Sequence, residues 1–221
     1  MIGATGDIGR GVTAAALERG WPVTAVGRRA DALEELVSEF GSADLTTVVG
    51  SIHETGSATA LADELDLSAG TAVVNAIGVP WAPALLQETS WDDIFQYLGA
   101  YLGAHVVAVQ TLLPRLAPDT VYLGVGGGMA DFVVRGLAPV SMAQAAQRNL
   151  FRGLHAENQG TGVAIRELMV VSKVNGRSNR ATARPEWLTA EAIGARVCEV
   201  VADPEAEQNA GLVLKMSPTR D

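Results

Sequence analysis

Three glycines near the start of the chain have the spacing of a phosphate-binding turn. They occur in the stretch MIGATGDIGRG as Gly3, Gly6 and Gly9, directly before a segment with helical periodicity. A glycine has no Cβ, so a phosphate can approach its backbone closely, and the free N–H groups at a helix start favour an anion. The spacing alone also fits a tight packing turn, but its position at a helix start favours pyrophosphate binding.

Two arginines follow the first predicted strand, at a position that distinguishes one nucleotide cofactor from another. An NAD site has Asp or Glu there to bind the ribose 2′-hydroxyl, whereas this chain has Arg28 and Arg29 after Gly27. Two guanidinium groups suit a 2′-phosphate, so the sequence favours NADP(H) over NAD. The alternative is that both arginines only solvate the start of a helix, because arginine is commonly exposed.

An alternation of apolar strands and amphipathic helices must position these residues. Strands are predicted at 21–27, 45–49, 71–78, 120–125, 162–171 and 211–216, and helices at 7–19, 28–41, 57–65, 90–116, 141–157 and 188–203. Such alternation implies parallel pairing with right-handed crossovers. We therefore predict an α/β fold, a single-domain Rossmann-type doubly wound parallel sheet with helices on both faces, over residues 1–221.

The composition fits a globular domain and excludes several classes of partner. Of the 221 residues 48% are hydrophobic and 19% are charged, which excludes a disordered chain. The net charge of −9 argues against nucleic acid and anionic membranes, because both require a basic patch. With one cysteine, no apolar run of membrane-spanning length and no visible signal peptide, we expect a cytoplasmic protein. His53, His105 and His155 lack paired-ligand spacing, so no metal site is predicted.

The motifs GATGDIG, VGRR, VVNAIG and GLVLKM together resemble the short-chain dehydrogenase/reductase family. The element order is similar across nearly the whole chain, although the glycine spacing is closer to the extended or atypical branches. Asn75, Ala76 and Gly78 match most of the Asn-Asn-Ala-Gly stretch that backs the cofactor in this family. Ser51 falls where the family often has an Asp that contacts the adenine. The resemblance implies an NADP(H) site formed by Gly3, Thr5, Gly6, Asp7, Ile8, Gly9, Arg28, Arg29, Ser51, Ile52, Asn75, Ala76 and Gly78.

The usual catalytic residues of that family are missing from the matching positions. In the family a Tyr is the general acid/base, a Lys lowers its pKa, and a Ser polarises the carbonyl. Here Val140 matches the Tyr, Gln144 the Lys, 124–126 the Ser and Tyr101 the catalytic Asn, while Val170 and Val171 match a Pro-Gly beside the nicotinamide. Val140 cannot transfer a proton and Gln144 carries no charge. We therefore expect no alcohol oxidation by the usual route.

Three functions are compatible with this departure from the family. The first is an NADP(H)-dependent oxidoreductase that reduces an activated C=N or C=C bond, which needs less acid assistance than a ketone. The second is a non-redox cyclase or isomerase that holds its substrate in a reactive conformation. The third is a non-catalytic nucleotide-binding protein. The fold alone does not decide between them.

Tyr101 is the candidate proton donor, and the glycines at 124–128 are expected to leave room opposite it. Tyr97, one helical turn earlier, is placed to share this role. The alternative is that both tyrosines are packing aromatics in a long helix. Lys173 is a candidate for contacting a cofactor phosphate or carboxamide, although most loop lysines are simply solvated.

The stretch MADFVVRGLAP, residues 129–139, is predicted to form part of a substrate lid. Its apolar side chains, together with Trp81 across the cleft, favour a hydrophobic small-molecule substrate, and Arg135 is placed to meet a carboxylate. The long predicted helices at 90–116 and 141–157 resemble the paired dimer helices of the family, which implies a homodimer or homotetramer.

The strand that should precede the glycine turn is the least regular part of the pattern. A central strand is usually several residues long, and Met1 and Ile2 cannot fill it. We therefore expect a truncated first strand and a marginal cofactor site. Both neighbouring strands would then carry unpaired backbone groups.

Overall fold

The computed structural model describes residues 1–218 and contains the predicted alternation of strands and helices. The strands are β1 (Val23–Gly27), β2 (Leu45–Val49), β3 (Ala72–Asn75), β4 (Thr120–Gly127), β5 (Val163–Val170), β6 (Val174–Asn175), β7 (Leu188–Thr189) and β8 (Val213–Met216). The helices are α1 (Asp7–Glu18), α2 (Ala30–Phe40), α3 (Thr55–Glu64), α4 (Trp91–Leu98), α5 (Ala104–Leu112), α6 (Ala138–Glu157) and α7 (Ala190–Ala202).

The main sheet is parallel throughout. Strand β1 pairs with β2, and β3, β4, β5 and β8 pair in that order. Ile2 bridges Val26 of β1 on one side and Asn75 of β3 on the other, and so joins the two groups of strands. This arrangement confirms the predicted doubly wound parallel sheet.

Helices cover both faces of this sheet, as predicted. On one face α1 and α7 contribute Val12, Ile193 and Val197 to an apolar cluster with β4 and β5, and α2 packs beside them. On the other face the cluster contains Ala58 of α3, Ala108 of α5, and the side chains of α6. None of the helices in the described part of the chain combines the length and the apolar character needed to cross a bilayer.

The closest helix contact joins α1 to α7 through two glycines. A Cβ on Gly194 would lie 2.0 Å from the Gly11 carbonyl oxygen, and a Cβ on Gly11 would lie 2.0 Å from the Ala190 carbonyl oxygen. The two helix backbones therefore touch directly, and α7 fixes the position of the helix that follows the glycine turn.

Three predicted boundaries need correction. The helix predicted at 90–116 consists of α4, a π-helical turn at Gly99–Gly103, α5 and a 3-10 turn at Leu113–Arg115, where Pro114 ends the α-helical hydrogen bonding. Helix α6 begins three residues before the predicted 141, because Pro139 fits a first helical turn. The segment before α7 also holds the short β6–β7 pair, which hydrophobic periodicity did not indicate.

Candidate nucleotide-binding and active site

The predicted cofactor residues come together at one edge of the sheet. Arg28 follows β1, Ser51 follows β2 and Ala76 follows β3, while the glycine turn links Ile2 to α1. The carboxyl ends of parallel strands meet at the same edge, which is where open α/β sheets bind ligands.

The three glycines of the turn have different structural roles. Gly3 has φ of +78°, and a Cβ there would lie 2.4 Å from the Ala76 carbonyl oxygen. A Cβ on Gly9 would lie 2.1 Å from the Gly3 carbonyl oxygen. Gly6 is exposed, and its Cβ would have a single neighbour, at 3.5 Å. Packing therefore requires Gly3 and Gly9, whereas Gly6 leaves the outer surface of the turn open to a ligand.

Helix α1 begins at this turn with its first N–H groups directed towards the sheet edge. Its N-cap is Gly6, and no side chain caps it. The Asp7 carboxylate accepts hydrogen bonds from the Ser178 backbone N–H, at 2.9 Å, and from the Ser178 hydroxyl. The segment between β6 and β7 is thus held against the turn. Sequence reasoning placed Asp7 at the cofactor but did not find this partner, which lies 171 residues away.

Arg10 is a structural residue of the turn that sequence reasoning missed. Its side chain is buried, and its Nε donates to the Thr5 carbonyl oxygen at 3.2 Å. Its guanidinium also pairs with Glu39 and lies 3.8 Å from a Glu35 carboxylate oxygen. These contacts tie the glycine turn to α2. The sequence signal that could have indicated this role is an arginine among the small residues of α1.

The two predicted arginines form a cationic rim beside the turn. Arg29 lies 3.6 Å from Asp31, but the two side chains are 71% and 72% exposed, so the pair holds the guanidinium only weakly. His53 lies near Arg28: burial lowers the pKa of its imidazole, and the Arg28 charge lowers that pKa further. The His53 backbone N–H donates to the Ser51 hydroxyl at 3.2 Å. His53 is thus a second neighbour of the predicted cofactor residues, and the sequence interpretation considered it only as a metal ligand.

The end of β3 forms the back of this region. The Asn75 side chain is fully buried, and its amide nitrogen lies 3.3 Å from His105 Nδ1. The Ala76 N–H donates to the Ile2 carbonyl oxygen at 3.1 Å, and Gly78 lies beside the Tyr101 ring. Ile52 belongs to the hydrophobic core, so only its backbone can face a cofactor.

Tyr101 lies in the π-helical turn and is 8% exposed. Its hydroxyl donates to the Val79 carbonyl oxygen at 3.4 Å, and its ring packs with Val140 and Ala143 of α6 and with Trp81. Burial raises the pKa of the phenol, and the neighbouring Gln144 side chain offsets part of this rise. The phenol therefore stays protonated at neutral pH, as a proton donor must.

The predicted room beside the glycines of β4 is filled by other side chains, and this expectation needs correction. A Cβ on Gly124 would lie 2.1 Å from the Phe151 ring, one on Gly126 2.2 Å from a Glu167 carboxylate oxygen, and one on Gly127 2.3 Å from the Gln144 amide oxygen. These glycines admit interior groups from α6 and β5. Buried Glu167 in turn pairs with Arg148 of α6.

The lid segment is anchored at its base and exposed at its tip. The Ser141 hydroxyl donates to the Met129 carbonyl oxygen at 2.6 Å, while Phe132, Val133 and Val134 are exposed. Lys173 is a predicted contact of a cofactor phosphate or carboxamide. In the structure its Nζ lies 5.3 Å from the centre of the Trp187 ring. Within residues 1–218 no group of three His, Cys, Asp or Glu side chains could hold a metal ion.

The sequence matches no protein-family model, and a search of curated proteins found no relative. Solved structures are similar over nearly the full chain. A serine dehydrogenase in its closed form, complexed with NADP+, has a TM-score of 0.82 at 20% identity, with 98% of this chain and 93% of that chain covered. An alcohol dehydrogenase from the archaeon Thermococcus sibiricus, complexed with 5-hydroxy-NADP, has a TM-score of 0.84 at 17% identity, with 100% and 97% covered.

A third similar structure is a short-chain oxidoreductase from Pseudomonas aeruginosa PAO1 that contains an atypical catalytic center. Its TM-score is 0.81 at 19% identity, and 98% of this chain and 94% of that chain are covered. At these identities the likenesses show that this chain has the fold of the short-chain dehydrogenases.

Proposed function

We propose that this chain is an atypical NADP(H)-dependent oxidoreductase of the short-chain dehydrogenase/reductase type. The observation that carries the proposal is the open glycine turn at the start of α1, with Arg28 and Arg29 exposed beside it. The similar structures of the serine and alcohol dehydrogenases, complexed with NADP+ and 5-hydroxy-NADP, support the same cofactor here. When bound, its nicotinamide ring would supply or accept a hydride.

The residues present fit the phosphate groups of such a cofactor. The exposed Gly6 leaves space over the first-turn N–H groups of α1, which suits a pyrophosphate. Arg28 and Arg29 suit a 2′-phosphate, and His53 lies beside them. Ser51, Asn75, Ala76 and Gly78 would complete the site from the strand ends.

We propose that the substrate is a hydrophobic small molecule with an activated C=N or C=C bond. Val140 and Gln144 offer no acid/base pair, so a simple ketone would lack the proton that its reduction requires. The exposed apolar side chains of the lid, Phe132 to Val134, suit an apolar molecule. Tyr101 is the proton donor in this proposal.

A non-redox function is the second candidate, and one observation favours it. Tyr101, Val140 and Ala143 pack against one another, with Trp81 and Tyr97 around them, in the region where a substrate would react. A chain whose reaction space is permanently filled in this way would bind the nucleotide without hydride transfer. A cyclase or isomerase that opens this cluster for its substrate is the related alternative.

We propose a homodimer or homotetramer formed through the long helices at 90–116 and 141–157. Trp91 and Phe95 of α4 are 67% and 63% exposed, and Met142 of α6 is also exposed. Exposed apolar side chains on adjacent helices are a feature of association surfaces. Sedimentation velocity should give a mass of at least twice the 23.0 kDa of one chain.

Calorimetric titration with three ligands tests the cofactor proposal. NADPH should bind at least tenfold more tightly than NADH, because charge-assisted bonds to a phosphate contribute about 1.5 to 3 kcal/mol each. Arg28→Ala should remove most of this difference and leave NADH binding nearly unchanged. Arg115→Ala is the matched control, because Arg115 pairs with Asp63 and precedes β4 at the opposite edge of the sheet.

The third ligand, adenosine 2′,5′-bisphosphate, separates the two candidate functions. It carries the 2′-phosphate without the nicotinamide. If NADPH binds much more tightly than this fragment, the nicotinamide half makes contacts and hydride transfer is favoured. Equal affinities would favour the non-redox candidate, and equal binding of NADPH and NADH would contradict the cofactor assignment.

A further inference from the structure

The first turn of α1 has free hydrogen-bond donors. The Arg10 N–H donates to the Gly6 carbonyl oxygen at 2.9 Å, and this is the first hydrogen bond that the helix makes. Within residues 1–218 the N–H groups of residues 7–9 have no backbone partner, and no side chain caps them. Under the proposed function these donors bind the pyrophosphate. Any other anion within reach of them is therefore a competitor.

Asp7 carries such an anion. It is the first residue of α1, so its carboxylate belongs to the same turn as the free donors. Acidic side chains are favoured in a first helical turn, because the free N–H groups and the positive end of the helix dipole attract them. A carboxylate directed at these donors would take the place of a phosphate and repel it. What the Asp7 carboxylate contacts instead therefore matters for the site.

The Asp7 carboxylate is held by residues 176–182, a segment that we call the strap. Ser178 donates to both carboxylate oxygens, through its N–H to Oδ1 at 2.9 Å and through its hydroxyl to Oδ2. Gly176 packs on the same side chain, since a Cβ there would lie 2.3 Å from Asp7 Cγ. Each carboxylate oxygen thus has a donor from the strap.

Contacts of its own give the strap its shape. The Gly176 N–H donates to Asn179 Oδ1 at 3.1 Å, and the Asn179 side-chain amide donates to the Val174 carbonyl oxygen at 2.8 Å. A further contact joins the strap to α2, where Arg177 lies 3.1 Å from a Glu35 carboxylate oxygen. The strap therefore presents its two donors to the carboxylate as a preformed pair.

We propose that Ser178 is a positioning residue that holds the Asp7 carboxylate away from the free donors of α1 and so keeps the pyrophosphate site clear. The proposal rests on the proposed function, because it needs a pyrophosphate at that turn. While the strap is attached, the N–H groups of residues 7–9 are available to a phosphate. When the strap detaches, Asp7 turns to the same donors and competes with the cofactor. The strap thus controls cofactor affinity through Asp7 and not through a bond to the phosphates.

The test measures the binding of ADP and of NADPH by calorimetric titration at one ionic strength, because salt screens the charges involved. Ser178→Ala removes one donor, and Gly176→Ala pushes the strap off the carboxylate. Each is made in the native chain and together with Asp7→Ala, which removes the competing anion. In the native background each should weaken both ligands about threefold to tenfold, as expected for one charge interaction at a helix start. In the Asp7→Ala background neither should change the affinity.

Two further forms complete the comparison. Asp7→Ala alone should bind both ligands at least as tightly as the native chain, and weaker binding would overturn the proposal. Thr182→Ala is the matched control, because its hydroxyl donates to the Asn179 carbonyl oxygen at 3.1 Å within the strap. It should leave both affinities unchanged. The melting temperature of each form shows whether it is folded.

The double variants decide between a positioning role and the alternatives. If Ser178→Ala weakens binding equally with and without Asp7→Ala, Ser178 contacts the phosphates or only supports the fold, and the proposal is wrong. It is also wrong if neither Ser178→Ala nor Gly176→Ala changes the affinity of the native chain. If the native chain and Asp7→Ala bind neither ligand, the proposed function itself fails, and this proposal fails with it.

Discussion

At the scale of single residues, Tyr101 is the group on which the proposed reaction depends most. Its phenol is buried and protonated, and its hydroxyl makes one weak bond, 3.4 Å long, to the Val79 carbonyl oxygen. A donor that is weakly engaged in the free protein can be redirected to a substrate that enters beside Val79. The raised pKa keeps the proton on the phenol until a basic atom develops on that substrate.

We predict that Tyr101→Phe lowers turnover by about 10² to 10⁴, the usual contribution of a positioned acid. The fold and NADPH affinity should be retained, because only one oxygen is lost. The measurement is NADPH oxidation with whichever cyclic imine or polarised alkene the native chain reduces fastest. Tyr97→Phe, in the same aromatic cluster, tests the shared role considered for Tyr97, and it should change the rate little if Tyr101 alone is the donor. An unchanged rate in Tyr101→Phe would remove this residue from the mechanism.

Other residues of the site show what a sequence cannot reveal. The glycines of β4 are visible in the sequence, but the side chains that fill the space beside them, Phe151, Gln144 and Glu167, come from elements 17 or more positions away in the chain. The Asp7–Ser178 contact has the same character. Local patterns indicate where backbone is unusual, whereas tertiary packing decides which groups occupy the space.

At the scale of elements, periodicity predicted most of the structure. Strand β2 was predicted at its observed residues 45–49, and the other main strands and helices were predicted within a few residues of their ends, because buried strands and amphipathic helices have distinct apolar periods. The π-helical turn at Gly99–Gly103 leaves no such signal, because the same apolar residues can face the core in an α turn or in a π turn. The β6–β7 pair has two residues per strand, too few for a period to appear.

The contact between α1 and α7 gives a sharp prediction for element packing. We expect Gly194→Ala to lower the free energy of unfolding by about 1 to 3 kcal/mol, since its methyl group would meet the Gly11 backbone and force the helices apart. This loss exceeds the gain of up to about 1 kcal/mol that alanine brings to a helix interior. Urea unfolding measures the difference.

Gly153→Ala in α6 is the matched control. Gly153 is exposed, and a Cβ there would have no neighbour within 4 Å. Only helix propensity should act, so this variant should gain about 0.5 to 1 kcal/mol. If Gly194→Ala were also stabilising, the α1–α7 contact would be looser than the two backbones indicate.

At the scale of the whole molecule, a buried network of polar side chains connects helices α5 and α6 to strands β3 and β4 through the core. His105 of α5 is fully buried, and its two ring nitrogens lie 3.3 Å from the Asn75 amide nitrogen and 3.2 Å from the Gln147 amide nitrogen. Gln147 in turn donates to the Val125 carbonyl oxygen at 3.1 Å. These side chains link α5, α6, β3 and β4. The protonation state of His105, at the centre of the network, therefore affects the stability of the complete fold.

The burial of His105 in this network leads to a prediction about stability and pH. Burial lowers the pKa of His105 from 6.5 to about 4, so the unfolded chain binds a proton more readily than the folded one. The contribution of the neutral imidazole is therefore fully present above pH 6.5 and is lost as the pH falls towards 4. Between pH 7 and pH 5 the loss should be about 2 kcal/mol in the free energy of unfolding.

The measurement is urea unfolding at pH 7, 6 and 5 for the native chain and for His105→Gln. The variant should be less stable at pH 7, because it loses packing against Phe151, but its stability should fall by about 2 kcal/mol less on acidification. Burial also lowers the pKa of the Met1 amine to about 5. This amine contributes the same pH dependence of stability to both proteins, so its effect cancels in the comparison. His155→Gln, at a partly exposed position near the end of α6, is the control and should keep the native pH dependence. Parallel plots of unfolding free energy against pH for the native protein and His105→Gln would mean that the imidazole is solvated and that the polar network opens to water in solution.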